Sequence, residues 1–134
     1  MKNFKYNIPW CLWGIFIFFL LSLPINAKDE SLLFQLPFID KILHAFLFGV
    51  FFLLLYIGLA KQYFFKKSRY LLLVISVLFT VVYASLTELF QKIIFTYRSA
   101  DIFDFFADIL GVVFVITFYF FKNFFNSTKN FFVI

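Results

Sequence analysis

Four long apolar runs divide the chain, and they limit its fold more than any other feature. They extend from Ile8 to Leu23, Ile42 to Ala60, Tyr70 to Phe90 with a further turn toward Phe95, and Ile102 to Phe121. The last three have the roughly 20 residues that a helix needs to cross the hydrocarbon layer of a bilayer. The first is shorter and is interrupted by Gly14 and Ser22. In lipid a backbone must satisfy its own hydrogen bonds, which leaves helices and closed barrels, and continuous runs of this length read as helices. The connections between them are short, so successive helices lie antiparallel. The expectation is an all-α chain, an integral membrane four-helix bundle making one domain over residues 1–134. Composition agrees, because 64% of residues are hydrophobic and only 14% charged, against about half and a quarter in soluble domains. That excludes a water-soluble domain, and intrinsic disorder as well. A single cysteine, Cys11, excludes a disulfide framework and a thiolate metal cluster.

Basic residues give the expected orientation. Lys2, Lys5, Lys61, Lys66, Lys67, Arg69, Lys122 and Lys129 fall on one side of the four spans, and Lys28, Lys41, Lys92 and Arg98 on the other. The positive-inside rule then makes both termini cytoplasmic and turns the first and third connections outward. The net charge of +5 follows from this arrangement, and no nucleic-acid partner is implied. The first span also has features of a secretory signal peptide, with Lys2 and Lys5 before it and Ile25-Asn26-Ala27 after it. Pro9, Trp10 and Trp13 favour an uncleaved helix with interfacial anchors. The 26 phenylalanines read as lipid-facing filler.

All seven acids lie on the expected outer half of the chain, although acids contribute little to topology. Asp29 and Glu30 are explained as loop residues. The others sit at helix mouths or inside spans, where a carboxylate costs up to about 2.5–3.5 kcal/mol at full depth and tends to face a functional interior. Asp101, Asp104 and Asp108 are spaced i, i+3, i+7 and share one helical stripe. Asp40, Lys41 and His44 open the second span; Glu88 and Gln91 are three apart near the outer end of the third, and Arg98 follows in the loop. Three spans thus carry polar faces at similar depth. Ion pairing of Arg98 and Lys41 with Glu88 and Asp104, and hydrogen bonds from Gln91 and His44 that hold helices together, would account for each residue singly. A shared site accounts for all of them. Imidazole with carboxylates suits Zn or Mn, and carboxylates alone suit Mg or Ca; that is the lesser reading, and no metal or cofactor is assigned. No nucleophile elbow, H-E-x-x-H, P-loop or dinucleotide fingerprint is present.

The pattern Asp40-Lys41-x-x-His44, with Phe46 following, then Tyr83-x-x-x-x-Glu88-x-x-Gln91, then Arg98-x-x-x-x-x-Asp104-x-x-x-Asp108-x-x-Gly111, resembles the VanZ-like family of small bacterial membrane proteins. The order and gaps match from about Pro37 to Gly111. The family commonly has Asn where Asp108 stands and a second small residue where Val115 stands, so Asp108 adds a carboxylate and Val115 lowers the expectation of a close Gly–Gly helix approach. The resemblance implies a multi-pass protein of the bacterial cytoplasmic membrane with a polar site at Asp40, Lys41, His44, Glu88, Gln91, Arg98, Asp104 and Asp108, and with Gly111 at a helix contact. The family's namesake is associated with low-level resistance to teicoplanin rather than vancomycin.

Three functions are consistent with this reading. One is binding or modification of a lipid-linked cell-envelope ligand at the outer leaflet, with Arg98 and Lys41 receiving an anionic headgroup. The second is an intramembrane hydrolase or transferase that uses His44 and a carboxylate as acid and base. The third is a structural component without chemistry. The expected partner is a membrane lipid or a lipid-linked cell-wall precursor, and nothing in the sequence marks an oligomer.

Overall fold

The computed structural model describes residues 4–22, 38–62, 68–94 and 102–129. Among them the chain is all-helical: a 3₁₀ turn at Phe4–Tyr6, then α1 (Ile8–Ser22), α2 (Ile39–Ala60), α3 (Arg69–Ile94) and α4 (Ile102–Lys129). Segments of α2, α3 and α4 are long and apolar enough to cross a membrane, whereas α1 has 15 residues. At 1.5 Å per residue α1 reaches about 22 Å, short of the ~30 Å hydrocarbon layer.

The helices run beyond the apolar runs at several ends. α2 starts at Ile39 rather than Ile42 and so takes Asp40 into its first turn, where a carboxylate favours the helix dipole. α4 runs past Phe121 to Lys129. Side-chain polarity changes along these segments, but no proline or glycine stops the backbone ladder there.

α2 is the central element and packs on the other three helices, most extensively on α4. Its buried face carries His44, Leu47, Phe48, Gly49, Phe51, Phe52, Leu55 and Gly58. This is an apolar stripe at helical spacing with one ionisable group near its start. Phe48, Phe51, Leu47 and Leu55 form the core with Ile17 and Leu21 of α1 and Ala84 of α3. The outer faces remain strongly apolar, as lipid contact requires: Phe46, Leu78, Phe103, Leu110, Phe114 and Phe118 are all exposed.

Side-chain hydrogen bonds tie α1 to its neighbours. Trp13 Nε1 donates to Leu47 O at 3.0 Å, and the Tyr83 hydroxyl donates to Gly14 O at 2.6 Å. Gln91 Nε2 donates to Leu21 O at 3.2 Å. Against α4, α2 comes closer than side chains permit. A Cβ built on Gly111 would overlap Ala45 O and lie 2.7 Å from Ala45 C. Gly49 faces the same contact, where its Cβ would meet Gly111 O at 3.1 Å and Val115 Cγ2 at 3.3 Å. The close approach is therefore made by Gly111 with Ala45 and Gly49 across two helices, and Val115 does not prevent it.

Candidate functional site

The start of α2, the last two turns of α3 and the start of α4 meet at one end of the bundle. His44 is five residues from the first residue of α2, and Asp108 six residues from that of α4. Those separations correspond to depths of about 7.5 and 9 Å along the helix axes. The 3.6-residue period turns Asp40 and His44 of α2 in one direction and Asp104 and Asp108 of α4 toward them.

The innermost contact is His44 Nδ1 with Asp108 Oδ1 at 3.0 Å. Both side chains are closed off, 0% and 1% exposed. With Asp108 ionised, the Nδ1–H donates and the carboxylate fixes the ring's tautomer and direction. The ring also stacks nearly parallel to Phe48, with 6.4 Å between centroids and 11° between planes. His44 Nε2 and Asp108 Oδ2 are buried and have no hydrogen-bond partner among the described residues. Buried polar atoms are satisfied in the great majority of cases, so two in one contact mark a site rather than a structural pair.

One turn nearer the helix mouths, Lys41 Nζ lies 3.3 Å from Asp104 Oδ1, the lysine half-exposed and the aspartate buried. The ammonium also lies 5.9 Å from the centre of the Phe103 ring. Glu88 of α3 approaches from the third side. One ligating atom each from His44, Glu88 and Asp108 lies within 4.8 Å of the others, and the same holds for Asp40, His44 and Asp104. His44 belongs to both groups.

The residues singled out in the sequence are thus divided. Asp40, Lys41, His44, Glu88, Asp104 and Asp108 come together at this end of the bundle. Gln91 is buried, and its hydrogen bond goes to the backbone of α1. Arg98 and Asp101 lie outside the described residues. A further polar stripe, Ser76, Thr80 and Thr87, is buried along α3. Ser76 and Thr80 donate to carbonyls four residues back, and Thr87 to one three back. Their i, i+4, i+11 spacing is visible in the sequence, but their hydroxyls are satisfied within α3 and serve helix packing.

Among the described residues the arrangement offers an oriented imidazole, carboxylates from three helices and the Lys41 ammonium at the rim. It is suited to holding a proton, a cation or the polar end of an amphiphile. Comparison with known proteins gives no match to a curated protein and none to a solved structure. The VanZ/LLP1 family model matches residues 8–125, a stretch that includes every residue of this site. The chain belongs to the VanZ/LLP1 family of membrane proteins.

Proposed function

We propose that the protein works in the bacterial cytoplasmic membrane on a lipid-linked cell-envelope ligand, whose polar headgroup enters the site at the outward end of the bundle. The observation that carries this reading is depth. A buried polar site drawn from three helices lies within about two turns of their ends, a depth that suits the boundary between headgroups and acyl chains better than the midplane. Lys41 is a cation at the rim, beside Asp104, and is suited to a phosphate or carboxylate. Asp40, Asp104 and Glu88 orient it or accept hydrogen bonds from a sugar or amine. Membership of the family supports a link with low-level teicoplanin resistance, since that glycopeptide acts on lipid-linked precursors at the same surface.

Drug susceptibility in a teicoplanin-sensitive host tests this reading. Wild type, Glu88→Ala and Asp104→Ala are compared at matched membrane levels, against teicoplanin and against vancomycin. The expected result is protection from teicoplanin alone, lost in both variants. A wild type that protects from neither drug removes the resistance link, and protection that survives both substitutions removes the polar site from the function.

One observation favours a second reading, an intramembrane hydrolase or transferase. His44 is oriented by Asp108 and keeps Nε2 without a described partner, which is how a general base is prepared. Glu88→Asp separates the two. Chemistry does not tolerate the displacement of a reacting group by a methylene, and a fall on the order of 100-fold is expected. A headgroup cradle keeps most of its function.

The orientation has its own test. With Cys11 replaced, a cysteine at Ser68 is expected to be shielded from a membrane-impermeant thiol reagent on intact cells, and one at Ser99 to be labelled. The reverse pattern would turn the site toward the cytoplasm and overturn the outer-leaflet proposal.

A further inference from the structure

We infer that His44, Glu88 and Asp108 bind a divalent metal ion, Mn²⁺ or Zn²⁺, between α2, α3 and α4. One ligating atom from each lies within 4.8 Å of the others. Around an ion with ligands near 2.1 Å, tetrahedral neighbours are about 3.4 Å apart, so the group closes by roughly an ångström of side-chain rotation. The 3.0 Å contact between His44 Nδ1 and Asp108 Oδ1 is a hydrogen bond that holds the two side chains beside each other. Proximity of acids alone would not make a site. The second observation is that His44 and Asp108, both fully buried, each keep one polar atom without a hydrogen-bond partner among the described residues.

The donor set selects the ion. A neutral imidazole with two carboxylates balances a charge of +2 in a place that water does not reach. One nitrogen and two oxygens suit Zn²⁺ or Mn²⁺ better than Mg²⁺ or Ca²⁺, which take oxygen alone. Three protein ligands leave at least one coordination position open. That position would accept an anionic oxygen such as a phosphate. The inference does not depend on which ligand the protein handles: metal binding without drug protection, or the converse, decides each claim separately.

The chain contains a single histidine, which makes the test specific. Protein purified through a tag without histidine is washed with chelator in dodecyl maltoside micelles and titrated with MnCl₂. Free Mn²⁺ is followed by electron paramagnetic resonance, and the bound ion is examined by pulsed measurements for coupling to nitrogen. The expected result is one Mn²⁺ per chain, displaced by ZnCl₂, with the ¹⁴N modulation of one imidazole. Glu88→Gln and Asp108→Asn, which preserve shape, are expected to weaken binding by about 100-fold or more, since even outer-shell partners are worth 10–100-fold. Asp40→Asn, at a neighbour of His44 outside the set of three, is expected to weaken it less than either. Helical circular dichroism and a single gel-filtration peak establish that each variant is folded. If a variant fails to fold, the nitrogen coupling of the wild type still identifies His44. Folded wild type without saturable binding, or binding without nitrogen coupling, overturns the inference. Binding lost in Asp40→Asn and kept in Glu88→Gln also overturns it, because the ion then belongs to Asp40, His44 and Asp104.

Discussion

Gly111→Ala is expected to destabilise the bundle by about 3 kcal/mol or more, at or beyond the top of the usual range for overpacking. Most overpacked sites relax because a neighbouring side chain changes rotamer. Here the new methyl would overlap the carbonyl oxygen of Ala45 and lie 2.7 and 2.8 Å from its C and Cα atoms. All three are backbone, so relief requires α2 and α4 to separate along the largest interface in the fold. Other glycines provide a graded comparison. Gly58→Ala would meet the Tyr6 carbonyl oxygen at 2.6 Å, but the 3₁₀ turn that carries it is only three residues long. Gly49→Ala and Gly14→Ala would meet their nearest atoms at 3.1 Å, a matter of a few tenths of an ångström. Thermal unfolding in detergent, followed by circular dichroism, is expected to rank Gly111→Ala lowest, Gly58→Ala and Gly49→Ala, whose nearest atoms are also backbone, above it, and Gly14→Ala near wild type. A Gly111→Ala protein that melts with wild type would mean that the helices do not pack at this distance.

That contact also shows where sequence reading ends. Apolar run length identifies the helices, because a backbone in lipid has few alternatives, and the i, i+3, i+7 spacing identifies the shared face of Asp104 and Asp108. Periodicity gives the face of one helix but not its rotation or height against a neighbour. Asp40, His44, Glu88, Asp104 and Asp108 were therefore legible as members of one polar region, and Lys41 with Asp104 was among the ion pairs that the sequence suggested, whereas the pairing of His44 with Asp108 was not. Gln91 shows the converse: its spacing from Glu88 marks it for the same region, yet the position of α1 draws its amide to Leu21. Gly111 was legible as a residue of a helix contact, but its partners, Ala45 and Gly49, are on another helix, and the valine at position 115 lowered the expectation of so close an approach.

Removing one member of the His44–Asp108 pair is expected to have the other large effect, and comparison with removal of both separates folding from function. Neutral hydrogen bonds between membrane helices average only about 0.6 kcal/mol, whereas removing the partner of a buried charge costs on the order of 3–5 kcal/mol. Asp108 is 1% exposed and already has one oxygen without a partner among the described residues. Loss of the imidazole would leave both oxygens in that state. His44→Leu is therefore expected near the larger figure, with Asp108→Val somewhat below it because a neutral ring remains. The double variant replaces both groups by apolar ones of broadly similar volume, and nothing polar is left to satisfy. It is expected to melt above either single variant and close to wild type, as apolar replacement of buried charge often does. Teicoplanin protection is expected to stay lost in all three. Stability regained without function would mean that the pair is held at the bundle's end for its chemistry, against the preference of the fold. A double variant no more stable than the singles would mean instead that the pair is part of what holds α2 to α4.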